Sequence, residues 1–189
     1  MTEPLEIPLE IVVMGVSGSG KTTVGAMLAE RLGRPYAEAD RFHPQANVAK
    51  MAAGHPLDDD DRRPWLAAIA AWIDERIARR EAAVVTCSAL KRKYRDVLRR
   101  PAVAFVYLHG SQDLIAQRLA ARKGHFFKQE LLASQFADLE PPAPDEAAVT
   151  VSIDAPPASI VDAILRAIGY PTESAADPID PGSTTGRDR

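Results

Sequence analysis

Apolar residues recur along this chain in two alternating rhythms. Short runs at residues 9–15 (LEIVVMG), 82–87 (AAVVTC), 103–108 (VAFVYL) and 149–153 (VTVSI) are apolar or β-branched at nearly every position. Strands of that kind are buried on both faces, as in a parallel sheet covered by helices. Between the runs, apolar positions return every three or four residues. Val24, Met27, Leu28 and Leu32 mark a helix over 20–32 that stops at Gly33, and Trp65, Ile69, Trp72, Ile73 and Ile77 share one face of a helix over 60–80. Further helices are predicted at 45–53, 91–99, 111–122, 130–139 and 158–168, and a short second strand at 35–39. The βαβα order predicts an α/β domain of three layers, with a five-stranded parallel sheet and right-handed crossovers. Two stretches break the rhythm. Residues 140–146 (EPPAPDE) read as a rigid Pro-rich connector, and residues 171–189 hold almost nothing apolar and are expected to be disordered.

Composition narrows the class. The 189 residues are 46% hydrophobic and 26% charged, with 23 Lys+Arg against 26 Asp+Glu and a net charge of −3. These values suit one globular domain and give no broad electrostatic case for a nucleic-acid partner. No apolar run approaches the roughly 20 residues of a membrane helix, so no membrane partner is expected. Residues 1–10 carry three Glu and no Lys or Arg, unlike a secretory leader. The lone Cys87 cannot form an internal disulfide, which fits a reducing compartment. A cytoplasmic location is expected.

The most specific chemistry lies between the first strand and the first helix. Gly15-Val16-Ser17-Gly18-Ser19-Gly20-Lys21-Thr22 fits G-x-x-x-x-G-K-[ST], followed by Thr23. Glycines let successive N–H groups turn inward on a polyphosphate, and the helix N-terminus adds partial positive charge. Lys21 is placed to reach the β- and γ-phosphates and the Thr22 hydroxyl to ligate Mg²⁺. ATP and Mg²⁺ are therefore the expected cofactors. No Asn-Lys-x-Asp guanine signature occurs, and no apolar strand closes on a clear Walker B aspartate. Small size with basic segments downstream suits a small-molecule kinase, in which phosphoryl transfer rests on positioning and charge neutralisation.

Several longer motifs then carry a resemblance. Ala39-Asp40-x-x-His43-Pro44-x-x-Asn47-x-x-Lys50-Met51, Pro56-Leu57-x-Asp59-x-Asp61-Arg62-x-Pro64-Trp65-Leu66, Cys87-Ser88-Ala89-Leu90-Lys91-x-x-Tyr94-Arg95 and Arg118-x-x-x-Arg122-Lys123-Gly124-His125-Phe126-Phe127 are similar to those of gluconokinase of the small P-loop type. Leu132-x-x-Ser134-Gln135-Phe136-x-x-Leu139-Glu140 and Asp145-Glu146 continue the match. The likeness runs from about residue 11 to 168. It implies ATP-dependent phosphorylation of D-gluconate at its 6-hydroxyl, a homodimer and a sheet order of 2-3-1-4-5. It also implies one kinase domain over 1–170, with a substrate-side insertion near 43–65 and a lid near 122–130. A kinase of a related hydroxy acid or polyol, and a non-catalytic P-loop binding protein, are the competing readings.

Roles follow from position. Asp40, at the end of the second strand, is either the base toward the attacking hydroxyl, as the resemblance implies, or an N-cap. Residues 86–100 hold six basic residues and one acid. Lys91 and Arg95, four apart, are candidate partners of the gluconate carboxylate unless they belong to a solvated basic face. Ser88 offers a hydroxyl or backbone N–H to the sugar acid, and Arg62, in the insertion, is a further candidate for the acid. In the basic segment 115–128, Arg122 is chosen for charge on the γ-phosphate, with Lys123 as rival, and Arg118 for stacking on adenine; a basic helix C-terminus is the alternative. His125 either touches substrate or caps and packs. Asp58 to Asp61 fit a solvated helix N-terminus rather than a metal cluster, and Trp65 and Trp72 fit the core.

Overall fold

The computed structural model describes residues 8–121 and 129–171. The predicted tail beyond Pro171 and the segment 122–128 lie outside the described residues. Five strands, β1 (Glu10–Met14), β2 (Tyr36–Glu38), β3 (Ala83–Thr86), β4 (Val103–His109) and β5 (Val149–Ser152), form one parallel sheet in the order β2-β3-β1-β4-β5. That is the order the resemblance implied. Helices α1 (Lys21–Leu32), α2 (Gln45–Ala52), α3 (Asp59–Arg79), α4 (Arg92–Leu98), α5 (Gln112–Ala121), α6 (Gln129–Asp138) and α7 (Pro157–Ala167) connect and cover the strands. Two 3-10 turns, Ala39–Phe42 and Pro144–Glu146, were not foreseen.

The pleat sorts the core into two layers. Ile11, Val13, Val84, Val106 and Leu108 pack with Leu28 of α1, Ile115 of α5, Leu132 of α6 and Ile164 of α7. Val12, Met14, Val85, Phe105 and Tyr107 face the other way, against Trp65, Ile69 and Ile73 of α3 and Leu98 of α4. Every residue of β1 and β3 is buried, which is why their sequences are apolar but for Glu10 and Thr86. At the edge, β5 leaves Thr150 and Ser152 exposed.

The acidic run before α3 is a helix start. The Asp58 carboxylate accepts from the Asp61 N–H at 2.9 Å while Asp61 accepts from the Asp58 N–H at 2.9 Å, a reciprocal cap. Trp65 is core and also anchors a turn, its Nε1 donating to the Ala39 carbonyl at 2.7 Å. Because that turn follows β2, strand β2 ends at Glu38 and Asp40 sits on the 3-10 turn beyond it, exposed at the carboxyl edge of the sheet.

Candidate active site

In parallel α/β sheets ligands settle beyond the carboxyl ends of the strands, and here the P-loop lies there, between β1 and α1. Gly15 and Gly18 take φ of 147° and 81°, values a side chain rarely tolerates. A Cβ on Gly18 would also stand 2.7 Å from Cγ of Leu119 in α5. The helix behind the loop has no side-chain cap and no acid in its first turn. Its positive end is thus turned toward an anion with no acid opposing it. Lys21 Nζ reaches back to the Val16 carbonyl at 2.9 Å, along the inside of the loop. Thr22 and Thr23 are exposed on the first turn of α1.

These donors fit a polyphosphate with a divalent ion. Among the described residues no group of three His, Cys, Asp or Glu could hold a metal, so the Thr22 hydroxyl and ligand phosphates are the natural ligands of Mg²⁺. Glu38, which the sequence reading passed over, joins this corner. Tyr36 OH lies 3.1 Å from Glu38 Oε1 and 3.3 Å from Thr86 Oγ1, and it also bonds Thr22. The available signal was the second acid in Glu38-Ala39-Asp40.

The acceptor side forms around the ends of β2 and β3. Burial pushes the Cys87 thiol up to about 12, with the charges of Lys21 and Arg62 lowering it and that of Asp40 raising it. The His43 imidazole also feels Asp40 and Arg62; burial, with Arg62 adding to it, lowers its pKa and favours the neutral ring. That ring stacks on Trp65 at 4.5 Å with an interplanar angle of 9°. Asn47, buried, ties α2 to α3 by donating to the Asp61 carbonyl at 2.7 Å, and its Nδ2 lies 3.5 Å from His43 Nδ1. Arg62 is half-buried, donates to the Leu57 carbonyl at 3.2 Å, and has an Nε without a hydrogen-bond partner. A buried cationic donor of this kind suits a ligand carboxylate. Ser88 is half-buried just past β3, and its carbonyl accepts the Gly15 N–H at 3.3 Å.

Other expected residues are placed elsewhere. Arg95 does not face the site. It is 1% exposed, chelates Glu146 through Nε (2.6 Å) and Nη2 (2.8 Å), and donates from Nη1 to the carbonyls of Ala89 and Leu90 at 3.1 and 3.0 Å. Its guanidinium is occupied by the fold, which corrects its assignment to the gluconate carboxylate. Lys91 is engaged by Asp138 at 3.2 Å and Asp59 at 3.6 Å. Arg92, Lys93, Arg99 and Arg100 form ion pairs on the outer face of that region, as a basic surface would. Arg118, half-buried, donates to the Ile153 carbonyl just past β5 at 2.6 Å. Arg122, Lys123 and His125, with the lid they were to form, lie outside the described residues.

Residues 17–168 match the shikimate kinase family. The chain is 47% identical over 161 residues to the gluconokinase of Gluconobacter oxydans (strain 621H), covering 84% of this chain and 90% of that one. It is 46% identical over 162 residues to the thermoresistant gluconokinase of Escherichia coli (strain K12), covering 83% and 91%. The crystal structure of a gluconokinase from Sinorhizobium meliloti 1021 superposes with a TM-score of 0.78 at 50% identity, covering 86% of this chain and 92% of that one. Shikimate kinase from Acinetobacter baumannii, solved with shikimate, shares the fold at a TM-score of 0.57 and 23% identity.

Proposed function

The chain belongs to the shikimate kinase family and, within it, to the gluconokinases, and on that premise we propose that it transfers the γ-phosphate of ATP to the 6-hydroxyl of D-gluconate, releasing ADP and 6-phospho-D-gluconate. The observation that carries this reading is the uncapped helix behind the P-loop at the carboxyl edge of a sheet that also carries Asp40, on the turn after β2.

Phosphoryl transfer asks a protein mainly to align donor and acceptor and to spread the charge of the moving group. The loop amides and the α1 N-terminus hold the triphosphate, and Lys21 leaves the Val16 carbonyl for the β- and γ-phosphate oxygens. Thr22, with Glu38 and Asp40 on the β2 side, would hold Mg²⁺ together with the phosphates, and the ion would supply charge neutralisation. Arg62 receives the gluconate carboxylate. With that end fixed, the 6-hydroxyl lies toward Asp40, which accepts its proton or orients its lone pair as the oxygen attacks phosphorus. Neutral His43 and Ser88 offer hydrogen bonds to the hydroxyls between. Arg122 is retained for charge on the γ-phosphate, and Arg118, set against the end of β5, for the adenine side.

A homodimer and a cytoplasmic site of action belong to the same reading, supported by the resemblance and by a lone, buried Cys87. Among the described residues no helix is long and apolar enough to cross a membrane. Coupled ADP release tests the proposal against D-gluconate, other sugar acids, shikimate and nucleoside monophosphates. Turnover with D-gluconate at the highest kcat/KM is expected; turnover with shikimate or a nucleotide alone overturns it.

A further inference from the structure

The last turn of the helix that follows the segment 122–128 is tied to both sides of the site, and no catalytic step above uses it. On one side, Gln135 of α6 makes a two-point contact with Ser17, which lies 118 residues away in sequence. Its Oε1 accepts the Ser17 N–H at 2.6 Å and its Nε2 lies 3.0 Å from Ser17 Oγ. Both ends of the amide are used, which fixes its orientation. Three residues on, at the end of α6, Asp138 pairs with Lys91 at 3.2 Å. Just beyond the helix, Glu140 donates its N–H to the Leu90 carbonyl at 2.9 Å and accepts the Arg92 N–H on Oε2 at 2.6 Å. Residues 90–92 continue directly from Ser88 and Ala89 on the acceptor side. One turn before Gln135, Leu132 anchors α6 in the core.

Ser17 sits on the crest of the loop, between Gly15 and Gly18, where the backbone is least constrained by its own sequence. A crest of that kind needs an external tether to hold its amides in one arrangement. Gln135 supplies it, and the same turn of helix, through Asp138 and Glu140 just past it, grips residues 90–92. We propose that Gln135 is a positioning residue for phosphoryl transfer, and that α6 couples occupancy of the nucleotide subsite to occupancy of the sugar-acid subsite. The inference rests on the gluconokinase reading for the identity of the acceptor. Coupling between two ligands is reciprocal, so gluconate tightens ATP binding by the factor with which ATP tightens gluconate binding.

The test compares the full-length protein with Gln135→Met, which keeps length and packing but makes neither bond, and Ser17→Ala, which loses only the hydroxyl contact. Titration calorimetry measures the Kd of a non-hydrolysable ATP analogue with Mg²⁺, alone and with saturating D-gluconate. Steady-state assays give KM for each substrate, and thermal melts give Tm. The wild type is expected to bind the analogue several-fold more tightly with gluconate present. Gln135→Met is expected to raise the ATP KM about five- to twentyfold and bring the gluconate enhancement to within twofold of none. Its KM for gluconate at saturating ATP should rise by about the factor of enhancement it has lost, and its Tm should move only slightly. Ser17→Ala is expected to show a smaller change in the same direction, and it decides the matter if Gln135→Met does not fold. A wild type without enhancement, a Gln135→Met protein that keeps both its ATP KM and the enhancement, or losses that merely follow Tm, overturn the proposal. Failure of the acceptor assignment reads separately, as absence of ADP release with gluconate in the wild type, and Gln135→Met must still weaken the analogue on its own.

Discussion

Replacing Arg95 by Met separates a structural arginine from a substrate ligand. The side chains of Arg95 and Glu146 are 1% and 2% exposed, and Arg95 makes four hydrogen bonds, two of them to that carboxylate. Breaking a buried pair from one side costs about 3 to 5 kcal/mol, because the remaining charge stays desolvated. The pair's hold on Glu146 gives a consistent size. Hydrogen bonds from Arg95 are the largest cause, with the Ala143 N–H and the Arg92 charge adding and burial opposing, of a fall in that carboxyl from 4.5 to about 2, and at about 1.36 kcal/mol per pKa unit the whole fall is worth roughly 3 kcal/mol. Glu146 keeps the Ala143 N–H at 2.9 Å and Arg99 at 3.2 Å after the substitution, which favours the lower end of the range. Urea unfolding at pH 7, with a slope of about 2 kcal/mol/M, should show the midpoint falling by roughly 1.5 M. The carboxyl's folded-state pKa is depressed, so its stabilisation is present above the unfolded value of 4.5 and fades as pH falls toward 2. The gap between wild type and variant should narrow over that interval. Assayed at 15 °C, where the variant remains folded, the gluconate KM should change less than threefold. A loss of stability below about 1 kcal/mol together with a tenfold rise in that KM would refute the reasoning and return Arg95 to the substrate.

Two further outcomes follow from the same geometry. Arg62→Met should raise the gluconate KM by about 10- to 100-fold, as loss of a charge-assisted contact does, with the ATP KM nearly unchanged; steady-state kinetics in both substrates checks this. Glu10, fully buried at the start of β1 with neither carboxyl oxygen hydrogen-bonded, is raised by burial from 4.5 to about 7 despite Arg76 and Arg34. A raised carboxyl favours the folded state while protonated and costs stability as pH climbs from 4.5 through 7. Glu10→Gln should therefore be the more stable protein above pH 7, by up to about 3 kcal/mol, with the difference shrinking toward pH 5 in denaturant titrations.

Much of this molecule could be read from the chain because its signals are local. The strands β1 and β3 announce themselves since every residue in them is buried, and the loop of residues 15–22 is specific in spacing and in its place between strand and helix. The acids before α3 were assigned to a helix start because a cap needs only a three-residue separation. Long-range partners were not legible. Lys91 and Arg95 have the spacing of one helical face, yet nothing near them discloses that Glu146 arrives 51 residues later to bury the second. Gln135 is an uncharged residue on an ordinary amphipathic helix, and its meaning depends on Ser17 lying across the fold. Asp40 was placed at a strand end, whereas the Trp65 bond to the Ala39 carbonyl holds it on a 3-10 turn. The basic residues beyond Ala121 keep the roles proposed above on sequence alone.

The central claim is a phosphoryl transfer to one hydroxyl of one sugar acid, and proton-coupled ³¹P NMR of the protein with ATP, Mg²⁺ and D-gluconate reads it directly. Phosphate on the primary 6-hydroxyl is split by two equivalent-type methylene protons, so a monoester triplet growing in step with ADP is the expected spectrum. A doublet, from a secondary hydroxyl, or inorganic phosphate as the sole new signal, would contradict the account.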